Sequence, residues 1–246
     1  MTLFLKLFIL IPVIGFLISL IVPNKKETVV AWTAFIAVGI HLIVFFTFLA
    51  LWLTHGMQTL NLKEIILFKT SNYEFYIDFY FDKISAVYLS VGTILTFMVA
   101  VYSRSYLHRE EGYKRFFNAM LFFYLGYNIT ILSGNFETMF IGWEILGISS
   151  FLLIAFYRNR YLPVKNAIKV FSIYRIGDVG LLLAMWMSHH FWHENITFVK
   201  LNNYQLVHEH LQSHTFIGVF ISLMILTSAA AKSAQLPFTS WLPRAM

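Results

Sequence analysis

Residues 136 to 157 read FETMFIGWEILGISSFLLIAFY, an apolar run long enough to cross a bilayer that holds a carboxylate, Glu144, inside it. A spanning helix needs about 20 apolar residues at about 1.5 Å rise each, and an acid near its centre costs roughly 2.5 to 3.5 kcal/mol on insertion scales. Only Arg175, Asp178 and Lys232 sit as deep in apolar sequence elsewhere, and the four formal charges sum to zero. Two acids and two bases are therefore the expected centre of a membrane bundle, because charges at that depth face the protein interior and seek one another.

Composition agrees with a membrane protein. Of 246 residues 59% are hydrophobic and 12% charged, against a charged share of about 25% in soluble domains. The net charge of +6 comes from basic residues in short loops between apolar segments, so the bilayer and not nucleic acid is the expected partner. With no cysteine in the chain, disulfides, thiolate zinc sites and iron-sulfur clusters are excluded. Neither a glycine-rich phosphate loop nor a GxGxxG turn is present, and no cofactor is expected. The first apolar segment lacks a small-residue cleavage site and reads as a retained helix.

The expected fold is an all-α polytopic membrane protein, one membrane domain over 1–246, divided into N-terminal helices with a hairpin (1–133) and a channel-like unit (134–246). Seven spans are marked at about 3–22, 29–53, 84–102, 116–133, 138–157, 166–188 and 216–236. Loops 23–28, 103–115 and 158–169 hold ten basic residues, and Lys63, Lys69, Lys83 and Lys200 lie on the other side. The positive-inside rule then places the basic loops in the cytoplasm and the N-terminus outside, in a cell (inner) membrane.

Two loops on the outer side are long. In Tyr73 to Asp82, apolar and polar residues alternate, which predicts a strand with one wet face. Ile65 to Lys69 is its expected partner, with Thr70, Ser71 and Asn72 as the turn; an irregular aromatic belt is the alternative. The second loop, 189 to 215, holds six of the nine histidines. His193, His208 and His210 could converge on an ion, but a solvated polar loop is the preferred reading.

The last segment is interrupted by Pro237 and Pro243. Proline lacks an amide proton and its ring clashes with the carbonyl four residues back, so a break is expected within a turn of Lys232. Breaks at membrane depth persist where protein or a water-filled cavity satisfies the freed backbone, as in ion pathways. No polar residues follow to end the segment, as in a piece of a longer protein.

Lys232 lies among small residues in ILTSAAAKSAQLP, which permit close helix approach. A nearby carboxylate keeps a proton on such a lysine, and withdrawing it favours release. Arg175 and Asp178, spaced i, i+3, share a helix face. Static ion pairing between helices is the alternative to proton carriage for these four residues. Lys169 is a candidate entry point or a snorkelling anchor.

The stretches GWEILGISSFLLIAFY (142–157), AIKVFSIYRIGDVGLLLA (167–184) and AKSAQLPFTSWLPRAM (231–246), with Asp82 and Lys83 opening the third helix, resemble the antiporter-like proton-translocating subunits, of the L or subunit 5 type in NADH-quinone oxidoreductase. The resemblance implies a bundle of about fourteen helices in two inverted repeats, each with a broken helix. It implies that Glu144 is the fifth-helix glutamate, Lys232 the lysine before the break, and Arg175 and Asp178 the sixth-helix pair, together an input half-path for protons. It implies no quinone or nucleotide site in this subunit. Partners would be other membrane subunits of a respiratory complex or an Mrp-type sodium/proton antiporter. A third possibility is a carbon-uptake assembly with a soluble zinc-containing partner, towards which Arg244 in the SWLPRAM ending leans. A non-conducting structural subunit is the remaining alternative.

Overall fold

Apolar runs of membrane length fold as helices because a helix satisfies its own backbone polar groups away from water. The computed structural model describes residues 2–24, 26–69, 74–192, 196–205, 207–208 and 214–245. Two helices, α1 (Thr2–Ile21) and α2 (Glu27–Thr54), lead into strands β1 (Leu60–Lys69) and β2 (Glu74–Phe81). There follow α3 (Lys83–Tyr106), α4 (Tyr113–Ile131), α5 (Phe136–Ile154), α6 (Tyr161–Trp192) and α7 (Thr215–Lys232). Short helical segments occupy Phe198–Leu201, Thr239–Trp241 and Leu242–Ala245.

Seven helices stand where seven spans are expected, and six are long and apolar enough to cross a membrane. The exception is α4, whose 19 residues include Lys114, Arg115, Asn118 and Asn128. It packs against α1, α2, α3 and α5, so protein covers what its composition would otherwise expose. Its Tyr124 hydroxyl lies 2.5 Å from His41 Nδ1 on α2 and 3.1 Å from Thr93 Oγ1 on α3. Buried polar groups thereby tie three helices.

Helix starts follow local chemistry. Asp82 caps α3, accepting from the Ser85 amide at 2.8 Å, and Asn135 caps α5, accepting from the Thr138 amide at 2.9 Å. The 32 residues of α6 extend beyond 166–188 at both ends. Pro163 falls in its first turn, where a missing amide is tolerated, and His189 and His190 belong to its last turn rather than to a loop. His193 and His210 lie outside the described residues.

The hairpin is antiparallel, from Leu60 opposite Phe81 to Lys69 opposite Glu74, with two register shifts in β1. Both strands exist, and β1 begins earlier than the expected Ile65; the expected turn at Thr70 to Asn72 lies outside the described residues. The expected wet face of β2 is corrected: Tyr76 and Asp78 are buried. That face meets the turn between α4 and α5. There the Asp78 amide donates to Thr138 Oγ1 at 3.0 Å, the Gly134 amide donates to the Asp78 carbonyl at 2.8 Å, and Asn135 Nδ2 donates to the Tyr76 carbonyl at 3.0 Å. A β-carbon on Gly134 would lie 2.5 Å from Asp78 Oδ2, so any larger residue would have to displace the Asp78 carboxylate. Toward α2, Phe81 packs edge-on against Phe48 at 5.0 Å and Trp52 at 5.2 Å.

Candidate functional site

Three helices, α5, α6 and α7, lie in a row, with α6 in contact with both neighbours. Small residues bring α6 and α7 together. A β-carbon on Gly177 would lie 3.0 Å from Ala231 Cβ, and one on Gly180 would lie 2.9 Å from the Met224 carbonyl oxygen. Glycines three apart on α6 thus face Ser228 and Ala231 three apart on α7, a small-residue seam of the kind that lets membrane helices approach closely. Asp178, between the two glycines in sequence, is carried to the same region as Lys232.

The four intramembrane charges do converge, in pairings only partly legible beforehand. Arg175 Nη1 donates to both oxygens of Glu144 at 2.8 Å and lies 3.3 Å from Asp178 Oδ2. One guanidinium on α6 is therefore shared between an acid of α5 and an acid of its own helix. Its face also rests 4.4 Å from the centroid of Phe171. Side-chain exposure is 43% for Arg175, 21% for Glu144 and 9% for Asp178, so the cluster opens to the surface of the chain on the Arg175 side.

Lys232 sits differently. Its ammonium donates to the Trp143 carbonyl at 2.6 Å and lies 4.2 Å from the Trp143 ring and 5.7 Å from the Tyr174 ring. Among the described residues it forms no ion pair. The Glu144, Arg175 and Asp178 triad carries a formal charge of −1, and Lys232 offsets it at one remove. Trp143 is the link, since its indole N–H donates to Asp178 Oδ1 at 3.0 Å while its carbonyl receives Lys232.

Trp143 is the residue that reading the sequence for charge passes over. The available signal is its position immediately before Glu144 in GWE, because an indole N–H at membrane depth must find an acceptor. Lys169 is not brought in. Nine residues before Asp178 at about 100° each, it projects from the opposite side of α6, and it makes no hydrogen bond or ion pair among the described residues.

The helix break follows directly on Lys232. α7 ends there, Ala234 takes a left-handed conformation with φ of 54°, and Pro237 follows. The break thus precedes the proline by several residues. Its freed carbonyls are satisfied: Ala229 by the Ser233 amide at 2.8 Å, Ala230 by the Gln235 amide at 3.0 Å, and Ala231 by the Trp241 indole at 2.9 Å. Trp241 also packs edge-on against Tyr174 at 5.1 Å. Among the described residues no group of three or more His, Asp or Glu side chains could hold a metal ion.

Outside this cluster, two further carboxylates are buried more deeply than Glu144. Asp78 and Glu137 lie at the hairpin end, on β2 and in the first turn of α5. Asp78 lies on the alternating face of a strand and Glu137 in the first turn of a helix, positions that a sequence reading assigns to water.

Comparison with known proteins fits this architecture. Residues 133–246 match the family described as NADH:quinone oxidoreductase/Mrp antiporter, and residues 67–117 match the N-terminus of chain 5 of NADH-ubiquinone oxidoreductase, complex I. NADH-quinone oxidoreductase subunit L of Escherichia coli (strain K12) is 31% identical, covering 98% of this chain and 39% of the relative. Subunit L of Buchnera aphidicola is 30% identical over 99% of this chain and 39% of the relative. The chloroplastic NAD(P)H-quinone oxidoreductase subunit 5 of Illicium oligandrum is 32% identical over 92% of this chain and 30% of the relative. The chain thus spans less than half the length of these relatives. A chain of the archaeal membrane-bound sulfane sulfur reductase superposes with a TM-score of 0.77 at 16% identity, covering 98% of this chain and 47% of that one. One of the Mrp complex from Dietzia sp. superposes with 0.76 at 20% identity, covering 96% and 25%. These two establish likeness of fold. Matched by both family models and by relatives over nearly its whole length, this chain belongs to the NADH:quinone oxidoreductase/Mrp antiporter family of membrane subunits.

Proposed function

We propose that this chain forms a proton-translocating portion of the membrane arm of an NADH-quinone oxidoreductase-like complex. In this reading residues 134–246 make a half-channel unit and residues 1–133 brace it. The basic loops face the cytoplasm and the N-terminus lies outside, in an inner membrane. Other membrane subunits are its partners, and no redox chemistry occurs in this chain.

The single observation that carries the reading is the unequal partnering of the two bases. Arg175 is shared by two carboxylates, whereas the Lys232 ammonium is held by a neutral carbonyl and aromatic faces. A permanent cation serves as the movable counter-ion, and an ionisable one carries the proton. With the guanidinium on Glu144, Asp178 remains linked to Lys232 through Trp143. If the guanidinium is drawn fully onto Asp178, Glu144 is left as the acid that accepts a proton. Coupling elsewhere in a complex then needs only to displace one side chain to reorder proton affinities along the row.

The test uses the full-length protein in proteoliposomes. Glu144→Gln and Lys232→Ala should each abolish proton flux while subunit assembly, read by native electrophoresis, is retained. Unimpaired flux in either variant would overturn the proposal and leave a structural role. Because the matching family also contains Mrp antiporters, sodium transport is the second reading, and flux that persists without sodium decides against it. Mass spectra of an N-terminally tagged subunit extracted in mild detergent identify the assembly: NADH dehydrogenase subunits support the complex proposed, and a soluble zinc protein in their place replaces it with carbon uptake.

A further inference from the structure

The basic end of the bundle, opposite the hairpin, holds a cavity of about 660 Å³ between the ends of α1 and α4 and the segment after α5. Six charged side chains on its wall are Glu27, Glu110, Glu111, Lys114, Arg115 and Arg158. Among the described residues none of them forms an ion pair with another. Arg115 is fixed: its Nη2 donates to the Phe156 carbonyl at 2.6 Å, and Gly112, at φ of 99°, leaves room where a β-carbon would lie 2.6 Å from that nitrogen. Its Nε is buried and, among the described residues, has no hydrogen-bond partner. Lys114 is fixed too, donating to the Leu20 carbonyl at 2.9 Å. A smaller adjoining cavity of about 210 Å³ has Glu110, Glu111, Arg115 and Arg158 on its wall as well.

Below the charges the wall is apolar. Phe16 of α1 and Phe122 of α4 stack at 5.0 Å and 23°, and Leu152 of α5 borders the same cavity. Exposed Leu17 and Ile148 continue this strip along α1 and α5. A polar mouth with separated positive and negative groups, continuing into an apolar strip at the end of spanning helices, matches an amphipathic zwitterion. A purely anionic lipid would face Glu110 and Glu111 without compensation, and a soluble zwitterion would leave the strip unused.

We propose that this cavity binds one phospholipid with a primary-ammonium, zwitterionic headgroup. Its phosphate meets Arg115 and Arg158, its ammonium meets Glu110 and Glu111, and its acyl chains lie along Phe16, Phe122 and Leu152. The discrimination resides in the ammonium, since a charge-assisted hydrogen bond to carboxylate has no counterpart in a glycerol headgroup.

The test is native mass spectrometry of the delipidated full-length protein, titrated separately with dioleoyl phosphatidylethanolamine, dioleoyl phosphatidylglycerol and glycerophosphoethanolamine. The unsubstituted protein should bind the ethanolamine lipid about tenfold more tightly than the glycerol lipid, the worth of one charge-assisted hydrogen bond. The exposed pair Glu110→Gln with Glu111→Gln should bring that ratio to about one, and Arg158→Gln should weaken both lipids. Equal binding of the two lipids by the unsubstituted protein, or a ratio unchanged by the double substitution, would overturn the proposal. So would chainless glycerophosphoethanolamine binding as tightly as the whole lipid, which would mark a soluble-ligand site.

Discussion

Asp78 offers a test of how the hairpin is fastened to the bundle. The residue is 1% exposed and, among the described residues, neither carboxylate oxygen has a hydrogen-bond partner, although its backbone is bonded to Thr138 and Gly134. Burial pushes its carboxyl up from 3.8 to about 6, while the Lys63 ammonium, on its cross-strand neighbour, acts in the opposite direction. Outside the membrane-spanning helices, this group answers to the pH of the medium. A rise of that size corresponds to about 3 kcal/mol between the two protonation states.

The sign follows from linkage. The docked hairpin binds the proton more tightly than an undocked one, so docking is strongest below about pH 4 and weakens as pH rises through about 6. With 3.8 for the undocked carboxyl and about 6 for the docked one, the undocked fraction rises about tenfold, or about 1.4 kcal/mol, between pH 5 and pH 8. Amide hydrogen exchange reads this directly at the Asp78, Tyr80 and Gly134 amides, all donors across the hairpin–bundle junction. After correction for intrinsic rates, their protection should fall about tenfold over that range, and Asp78→Asn should flatten the dependence. Protection that rises with pH, or the same slope in Asp78→Asn, would refute the reasoning.

Two further predictions concern the three-helix row. Trp143→Phe keeps the ring and the carbonyl beneath Lys232 but removes the donor to Asp178; leaving that acceptor unmet costs about 1–3 kcal/mol, so proton flux in the reconstituted full-length protein should fall at least about fivefold with assembly intact, and unchanged flux would make the contact incidental. Gly180→Val drives a β-carbon into the Met224 carbonyl at 2.9 Å and should lower stability in detergent by about 1–3 kcal/mol. Gly147→Ala, whose β-carbon would meet only Tyr174 Cδ2 at 3.9 Å, is the control that should not lower the melting temperature.

The spans were legible because membrane length and apolarity are local properties, and the limits of that reading are local as well. Pro163 resembles a loop residue until the first turn of α6 forms around it. The strands were legible from alternation, but alternation says only that β2 has two faces. The partners that bury Tyr76 and Asp78 come from Gly134, Asn135 and Thr138, more than fifty residues away. Among the charges, the i, i+3 spacing announced Arg175 with Asp178. The Glu144 contact was one of several pairings open among the four charges, and which of them forms depends on how α5 and α6 are rotated about their axes.

The break in α7 and the state of Lys232 are best understood as one device. A cation at the last residue of a helix faces the negative end of its dipole, and here α7 stops at Lys232. Two aromatic rings and one carbonyl complete its surroundings, each cation–π contact being worth about 0.5–2 kcal/mol. Trp241 fixes the ring of Tyr174 and takes up the Ala231 carbonyl, so the segment after the break holds the geometry before it. A lysine stabilised by neutral groups does not require a carboxylate, and both carboxylates remain available to Arg175. Had α7 continued as a helix past Lys232, the negative end of its dipole would lie further along and Trp241 would reach neither the Ala231 carbonyl nor the Tyr174 ring, so the ammonium would lose part of its neutral surroundings and lean on Glu144 or Asp178 as a fixed partner. An ion pair closed in that way is static. The interrupted helix therefore supports the reading in which the positive charge on Lys232 can come and go, as a proton carrier requires.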